Sequence, residues 1–243
     1  TFLAVSLLGV MAFIGSLILV PDDIAASKPA SLLTQLSVLK KPRLLLVYAM
    51  TTLGYGGSFI AFTYLAPILQ EVSGFSAGSV SLVMLVYGAS VAFGNIWGGK
   101  LADRKGPIRA LQIVFALLAL VLFVLTFTAA NAWLALATVL VWGAVAFGNV
   151  PGLQVYVVQR AERDAPQAVD VASGLNIAAF NVGIAGGAWA GGLIVVHWGL
   201  MATPWIGALV VLGALGLTTL AGRLDRAEGM AAPVPSRRAV MGH

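Results

Sequence analysis

The chain has 243 residues, 60% of them hydrophobic and 9% charged, with a net charge of +5 and a mean hydropathy of +0.97. A soluble domain carries roughly 25% charged residues, and nine acids with fourteen bases cannot cover a protein of this size. An ordinary soluble globule is therefore excluded, and lipid is the solvent for most of the surface. The absence of cysteine also excludes a disulfide framework, a thiol nucleophile and a thiolate metal site.

Crossing the hydrocarbon takes about 20 apolar residues as a helix. The apolar runs here are continuous rather than alternating, so the expected class is an all-α membrane protein. The first span is residues 2–20, which opens in an uncharged run with no basic leader or small-residue cleavage site and reads as a span rather than a signal peptide. A charged segment follows, residues 21–43, in which Leu32, Leu36 and Leu39 share one face of a short interfacial helix or lie in an irregular linker. From Leu44 to Gly99 the only charge is Glu71, so this stretch folds back at Glu71–Gly74 into spans at about 44–69 and 79–98. Fifty uncharged residues separate Arg109 from Arg160 and turn at Ala130–Asn131, giving spans at about 110–129 and 133–157. The stretch from Val171 to Gly222 turns between His197 and Pro204, giving spans at about 172–196 and 203–222. Residues 223–243 form a polar tail with Pro233 and Pro235, expected to be disordered.

Seven spans place all fourteen Lys and Arg on one face, with Glu71 and His197 on the other. The positive-inside rule makes the basic face cytoplasmic, which puts Thr1 outside and the C-terminus inside. The basic balance thus reads as membrane topology. A nucleic-acid reading would need a basic patch with interleaved aromatics on a soluble fold.

The seven spans as bounded above contain no Asp, Glu, Lys or Arg, so the usual pointer to ion coupling is missing. His197 lies at an outer helix end, and no metal-spaced cluster or Ser/His/Asp set occurs inside a span, so no metal, cofactor or enzymatic activity is expected. The most specific local signal is Gly98-Gly99-Lys100-Leu101-Ala102-Asp103-Arg104-Lys105-Gly106, a tight connection between the third and fourth spans. Gly99 would let a helix end approach a neighbour, and Asp103 would cap or face a helix N-terminus.

This loop resembles the signature loop of the major facilitator superfamily. Gly99, Asp103, Arg104, Gly106 and Arg109 match it, whereas Pro107-Ile108 replaces the usual basic pair. In that family the acid and arginine latch the cytoplasmic gate. Thr51 to Tyr55 with Phe62 to Pro67, and Ser173 to Asn176 with Ala179 to Gly183 and Gly186 to Ala188, resemble helices seven and eleven of its bacterial drug and sugar efflux branch, which includes arabinose-efflux-like and chloramphenicol-resistance-like permeases. The resemblance implies helix six of twelve followed by the C-terminal six-helix half: residues 1–20 as the last helix of the N-terminal half, 21–43 as the cytoplasmic inter-half linker, 44–222 as the C-terminal half, and 223–243 as tail. It further implies a bacterial inner-membrane efflux protein that exchanges protons for a small drug-like or sugar-like compound by alternating access. The N-terminal half and the proton-carrying acids would then lie outside these residues, and residues 1–243 alone would not transport.

Candidate pathway residues are polar or aromatic groups inside spans, where burial in lipid is costly. They are Thr51, Tyr55, Ser58 or Phe59, and Phe62 in the second span, and Tyr87 and Asn95 in the third. The fifth adds Asn149 and Gln154 around Pro151, a residue able to kink the helix, and the sixth adds Asn176 and Phe180. Gly94 with Gly98, and Gly183, Gly187 and Gly191, recur at four-residue spacing and would let neighbouring helices pack closely. Two rival classes remain open at this stage. One is a complete seven-helix receptor or sugar facilitator, although no lysine lies within a span for a retinal and the odd span is first rather than central. The other is a non-transporting membrane scaffold, which would have no need of Asn176 or Gln154.

Overall fold

The structure, a computed structural model, describes residues 2–19 and 37–229. These fall into two compact units. The first contains α1 (Phe2–Leu19), an 18-residue helix with no charged residue. The second is an all-helical bundle.

In this second unit α2 (Pro42–Phe62) continues through a short turn of helix, Leu65–Pro67, and a π-turn, Ile68–Val72. There follow α3 (Ala77–Lys105), α4 (Pro107–Thr128), α5 (Ala132–Ala146), α6 (Asn149–Asp164), α7 (Val169–Trp198) and α8 (Ala202–Ala227). Since α5 and α6 form one crossing, six stretches are long and apolar enough to span a membrane: Pro42–Val72, Ala77–Lys105, Pro107–Thr128, Ala132–Asp164, Pro166–Trp198 and Ala202–Ala227. Each of the six expected spans of this unit has its counterpart, and α1 supplies the additional apolar helix. The helices run further than the apolar stretches do, and α8 continues through Ala227. Of the expected interfacial helix, Ser37–Lys40 form a 3₁₀ turn. Its remainder, and the tail from residue 230, lie outside the described residues.

The boundaries follow from local chemistry. Proline opens α2 and α4, where its missing N–H has no helical partner to lose. Ser76 caps α3 by accepting from the Ser79 amide, and the Asn131 side chain caps α5 by accepting from the Trp133 and Leu134 amides. Gly106 alone separates α3 from α4, at φ +79°, a conformation that carries a steric penalty for any residue with a Cβ. Asp103 is exposed and does not cap α4, contrary to expectation, because a one-residue connection leaves the last turn of α3 no room to fold over the start of α4.

Both internal helix breaks lie four residues before a proline. A proline ring clashes with the carbonyl four residues back, which for Pro67 is Thr63 and for Pro151 is Phe147. The chain leaves α2 at Thr63–Tyr64, and α5 ends at Phe147–Gly148. The irregularity expected at Pro151 thus falls one turn upstream of it.

The α2 helix is the most buried of the six spans and packs chiefly against α7 and α8; α8 also covers α4, and α3 crosses α5. Glycine makes three of these crossings close, the α2–α8 one through Gly57 and Gly207, where a Cβ on Gly207 would lie 2.5 Å from the Gly57 carbonyl oxygen. A Cβ built on Gly187 would lie 2.4 Å from the Gly56 carbonyl oxygen, and one on Gly183 2.6 Å from that of Thr52. On Gly191 it would lie 2.7 Å from that of Ile60. At the α3–α5/α6 crossing, Gly94 and Gly98 sit against the Ala144 and Gly148 carbonyls. Gly99 is looser, its nearest neighbour being Pro151 at 3.9 Å.

Candidate functional site

A cavity of about 290 Å³ opens among α2, α3, α6 and α7. Thr51 and Tyr55 reach it from α2, Asn95 from α3, Phe147 from the α5–α6 break, Val150, Leu153 and Gln154 from α6, and Asn176, Ile177 and Phe180 from α7. The pairs Thr51/Tyr55, Val150/Gln154 and Asn176/Phe180 are each four residues apart, which puts both members on one face of their helix. Among the described residues, no Asp, Glu, Lys, Arg or His lines the cavity. Its polar equipment is three carboxamides and two hydroxyls, set in an apolar wall.

Two contacts fix the wall. The Thr51 hydroxyl donates to Asn176 Oδ1 at 2.6 Å, with the Val47 carbonyl a second acceptor at 3.1 Å. Both side chains are buried, so the hydroxyl is committed inside the protein and holds one end of the Asn176 carboxamide. The Tyr55 ring meets Phe180 edge-on, with centroids 4.0 Å apart, and also contacts Phe147 at 6.1 Å. Tyr48 and Thr52 add hydroxyl bonds to the Ala172 and Ala179 carbonyls along the same α2–α7 seam.

The structure therefore brings together Thr51, Tyr55, Asn95, Gln154, Asn176 and Phe180. Phe59 and Tyr87 do not line this cavity. They belong, with Phe62 and Trp142, to an aromatic cluster with centroid separations of 5.2 to 6.0 Å. Trp142 is fully buried there and donates from its indole N–H to Ser58 Oγ at 3.1 Å. Asn149 is buried in the bundle with both ends of its carboxamide unbonded, and it is not part of the cavity wall. Around the Gly106 connection between α3 and α4, Asp103, Arg104 and Arg109 are exposed, and among the described residues they form no ion pair.

One constellation has no counterpart in the residues singled out above. Where α6 and α8 end and α2 begins, Arg160 is 1% exposed and is paired with three acids. It donates to Asp164 at 2.8 Å, to Glu228 at 2.9 Å and to Asp225 at 3.4 Å. The Tyr156 hydroxyl donates to the other Asp225 oxygen at 2.8 Å. Glu228 also accepts from Arg43, through Nε at 2.9 Å and through Nη2, and its backbone carbonyl accepts from Arg163. The hydrogen bonds from Arg43 and then Arg160 hold the Glu228 carboxyl well down, at about 2. Because that value lies below the ordinary carboxylate value of 4.5, the stability contributed by Glu228 is fully present above the ordinary value and is lost as pH falls from there through about 2. Sequence spacing does carry a signal for this cluster. Tyr156, Arg160 and Asp164 recur every four residues on one helical face, and Asp225 and Glu228 are three apart. The apolar runs end before the charged positions, so span boundaries set by hydropathy pass over them.

The chain is similar along most of its length to known membrane transporters. The family model described as Major Facilitator Superfamily matches residues 1–169. The uncharacterized MFS-type transporter YtbD of Bacillus subtilis (strain 168) is 52% identical over 217 residues, covering 89% of this chain and 54% of that protein. The inner membrane transport protein YdhP of Escherichia coli (strain K12) is 34% identical over 226 residues, covering 92% and 56%. A second B. subtilis protein, the uncharacterized MFS-type transporter YfhI, is 32% identical over 223 residues, covering 90% and 54%. The chain thus spans about half the length of the curated relatives it matches. By the family match and the six membrane-spanning helices together, this chain belongs to the major facilitator superfamily.

Proposed function

We propose that the chain forms the C-terminal half, with one preceding helix, of a proton-coupled efflux transporter for a small, uncharged or weakly polar drug-like or sugar-like compound. The observation that carries the proposal is the uncharged cavity among α2, α3, α6 and α7. Its three carboxamides can donate to or accept from hydroxyl, carbonyl or ether groups, while Tyr55, Phe147 and Phe180 offer ring faces and edges. A fixed charge in the wall would select an oppositely charged ligand, and none is present among the described residues. The protons would be carried by acids of the other half. In this reading the basic ends of the helices are cytoplasmic, the N-terminus of α1 faces outward, and Gly99, Asp103, Arg104, Gly106 and Arg109 form the cytoplasmic gate.

The test uses the full-length transporter in everted inner-membrane vesicles, with radiolabelled chloramphenicol and arabinose as probes. An acidic lumen is expected to drive accumulation of at least one of them, and collapse of the pH gradient to abolish it. Accumulation that ignores the gradient, or no uptake of either probe above empty-vector vesicles, overturns the proposed coupling or substrate class respectively.

Two variants locate the activity. Thr51→Val keeps the shape of the side chain but removes the hydroxyl that holds Asn176. The half-saturation concentration for the transported probe is expected to rise about tenfold, the equivalent of losing one hydrogen bond of about 1.4 kcal/mol, with expression unchanged. Unaltered saturation would remove Asn176 from the binding wall. Asp103→Asn is expected to lower the transport rate at saturating probe while leaving expression and half-saturation intact; a wild-type rate would count against the gate assignment.

A further inference from the structure

The charges at the basic end of the bundle fall into two groups that are treated differently. Asp103 and Arg104, in the last turn of α3, and Arg109, in the first turn of α4, are exposed and form no ion pair among the described residues. Arg43, Arg160 and Arg163, by contrast, are joined to Asp164, Asp225 and Glu228 by hydrogen bonds and ion pairs. Arg43 and Arg160 reach carboxylates, whereas Arg163 reaches the Glu228 backbone carbonyl. The cluster also spans the chain, since Arg43 and Glu228 are 185 residues apart in sequence.

Glu228 is the keystone of this arrangement. One carboxylate oxygen serves Arg43 at the start of α2, the other serves Arg160 in the last turns of α6, and its backbone carbonyl serves Arg163. It sits one residue beyond the end of α8, whose Asp225 is held in turn by Tyr156 and Arg160. A single residue thus ties three helix ends that are far apart in the chain.

We propose that Glu228 is a clasp that makes the basic ends of α2, α6 and α8 one cooperative block, independent of the loop between α3 and α4. The block anchors α6 at the end opposite its break at Phe147–Gly148. Gln154 lies between that break and Arg160, so the clasp also holds this cavity residue in place. The anchoring of the three ends stands without the transport reading. Only the consequence for the cycle rests on it: opening at this end would be left to the α3–α4 side, where Asp103, Arg104 and Arg109 form no ion pair among the described residues.

The test is amide hydrogen exchange on the full-length protein in lipid nanodiscs, comparing wild type with Glu228→Gln and with Glu162→Gln, a change at an exposed acid on α6 outside the clasp. Glu228→Gln is expected to speed exchange about tenfold in residues 41–46 and 158–165 as well as 222–229, with residues 99–109 unchanged. Glu162→Gln is expected to leave all four segments as in wild type. Acceleration confined to residues 222–229, or equal acceleration that includes residues 99–109, overturns the clasp. In a second arm, proteoliposomes with and without a pH gradient are compared. The expected result is a gradient-dependent change at residues 99–109 and none at the clasp. Gradient-dependent exchange at the clasp itself overturns its independence, and no change anywhere speaks against proton coupling while leaving the Glu228 result to decide the clasp.

Discussion

Gly98→Ala is expected to cost the folded protein at least about 3 kcal/mol, at or beyond the upper end of ordinary overpacking. A Cβ at this position would sit 2.0 Å from the Gly148 carbonyl oxygen and 2.7 Å from both the Gly148 carbonyl carbon and its Cα. All three are backbone atoms, so no side-chain rotation can relieve the clash; α3 must move away from the α5–α6 crossing. Close packing forbids a local remedy, because Gly94 repeats the contact one turn earlier, 1.9 Å from the Ala144 oxygen. Moving α3 would also carry Asn95 out of the cavity. The measurement is the apparent melting temperature of the detergent-solubilised full-length protein, read from its monodisperse size-exclusion peak. Gly216→Ala is the control: it lies in α8 with nothing within 4 Å of its would-be Cβ, and it is expected to be neutral or slightly stabilising. If Gly98→Ala melts with the control, α3 and the α5–α6 span are not as close as described.

That contact also marks how far the sequence can be read. Four-residue glycine spacing predicts that some helix approaches α3, but only the tertiary structure identifies the partner as the carbonyl at the break of the α5–α6 span. The break is itself legible once the four-residue reach of a proline ring is applied to Pro151. The cavity residues Thr51, Asn95, Gln154 and Asn176 stand out because a polar group in an apolar span must find either a partner or a polar space. Aromatic residues give no such signal. Tyr55 and Phe180 line the cavity while Phe59 and Tyr87 pack in a cluster, although all four present the same chemistry to a sequence reading. The ion cluster stayed hidden for a different reason. The contacts that join its three helix ends span 65 to 185 residues, and each end alone is an ordinary set of charges after an apolar run.

Arg160→Ala is the second change with a large expected effect, and its cost comes mainly from what it leaves behind. Asp225 is 7% exposed and would keep only the Tyr156 hydroxyl, while Asp164 and Glu228 would lose the cation between them. Removing one partner from a buried ion pair costs about 3–5 kcal/mol, because the remaining charge is left uncompensated in a low-dielectric site. The same logic predicts partial recovery when the orphaned charge is removed too. Asp225→Asn added to Arg160→Ala is expected to return about 1–3 kcal/mol, a coupling that two independent sites would not show. Unfolding midpoints of the two single variants, the double variant and wild type close the cycle. The coupling should persist at high salt, since a side chain as buried as Arg160 is poorly screened, whereas an exposed pair would lose it. Strict additivity would mean that Arg160 and Asp225 are neighbours without an energetic bond; α8 would then be fastened to α6 through Glu228 and the Tyr156–Asp225 hydrogen bond.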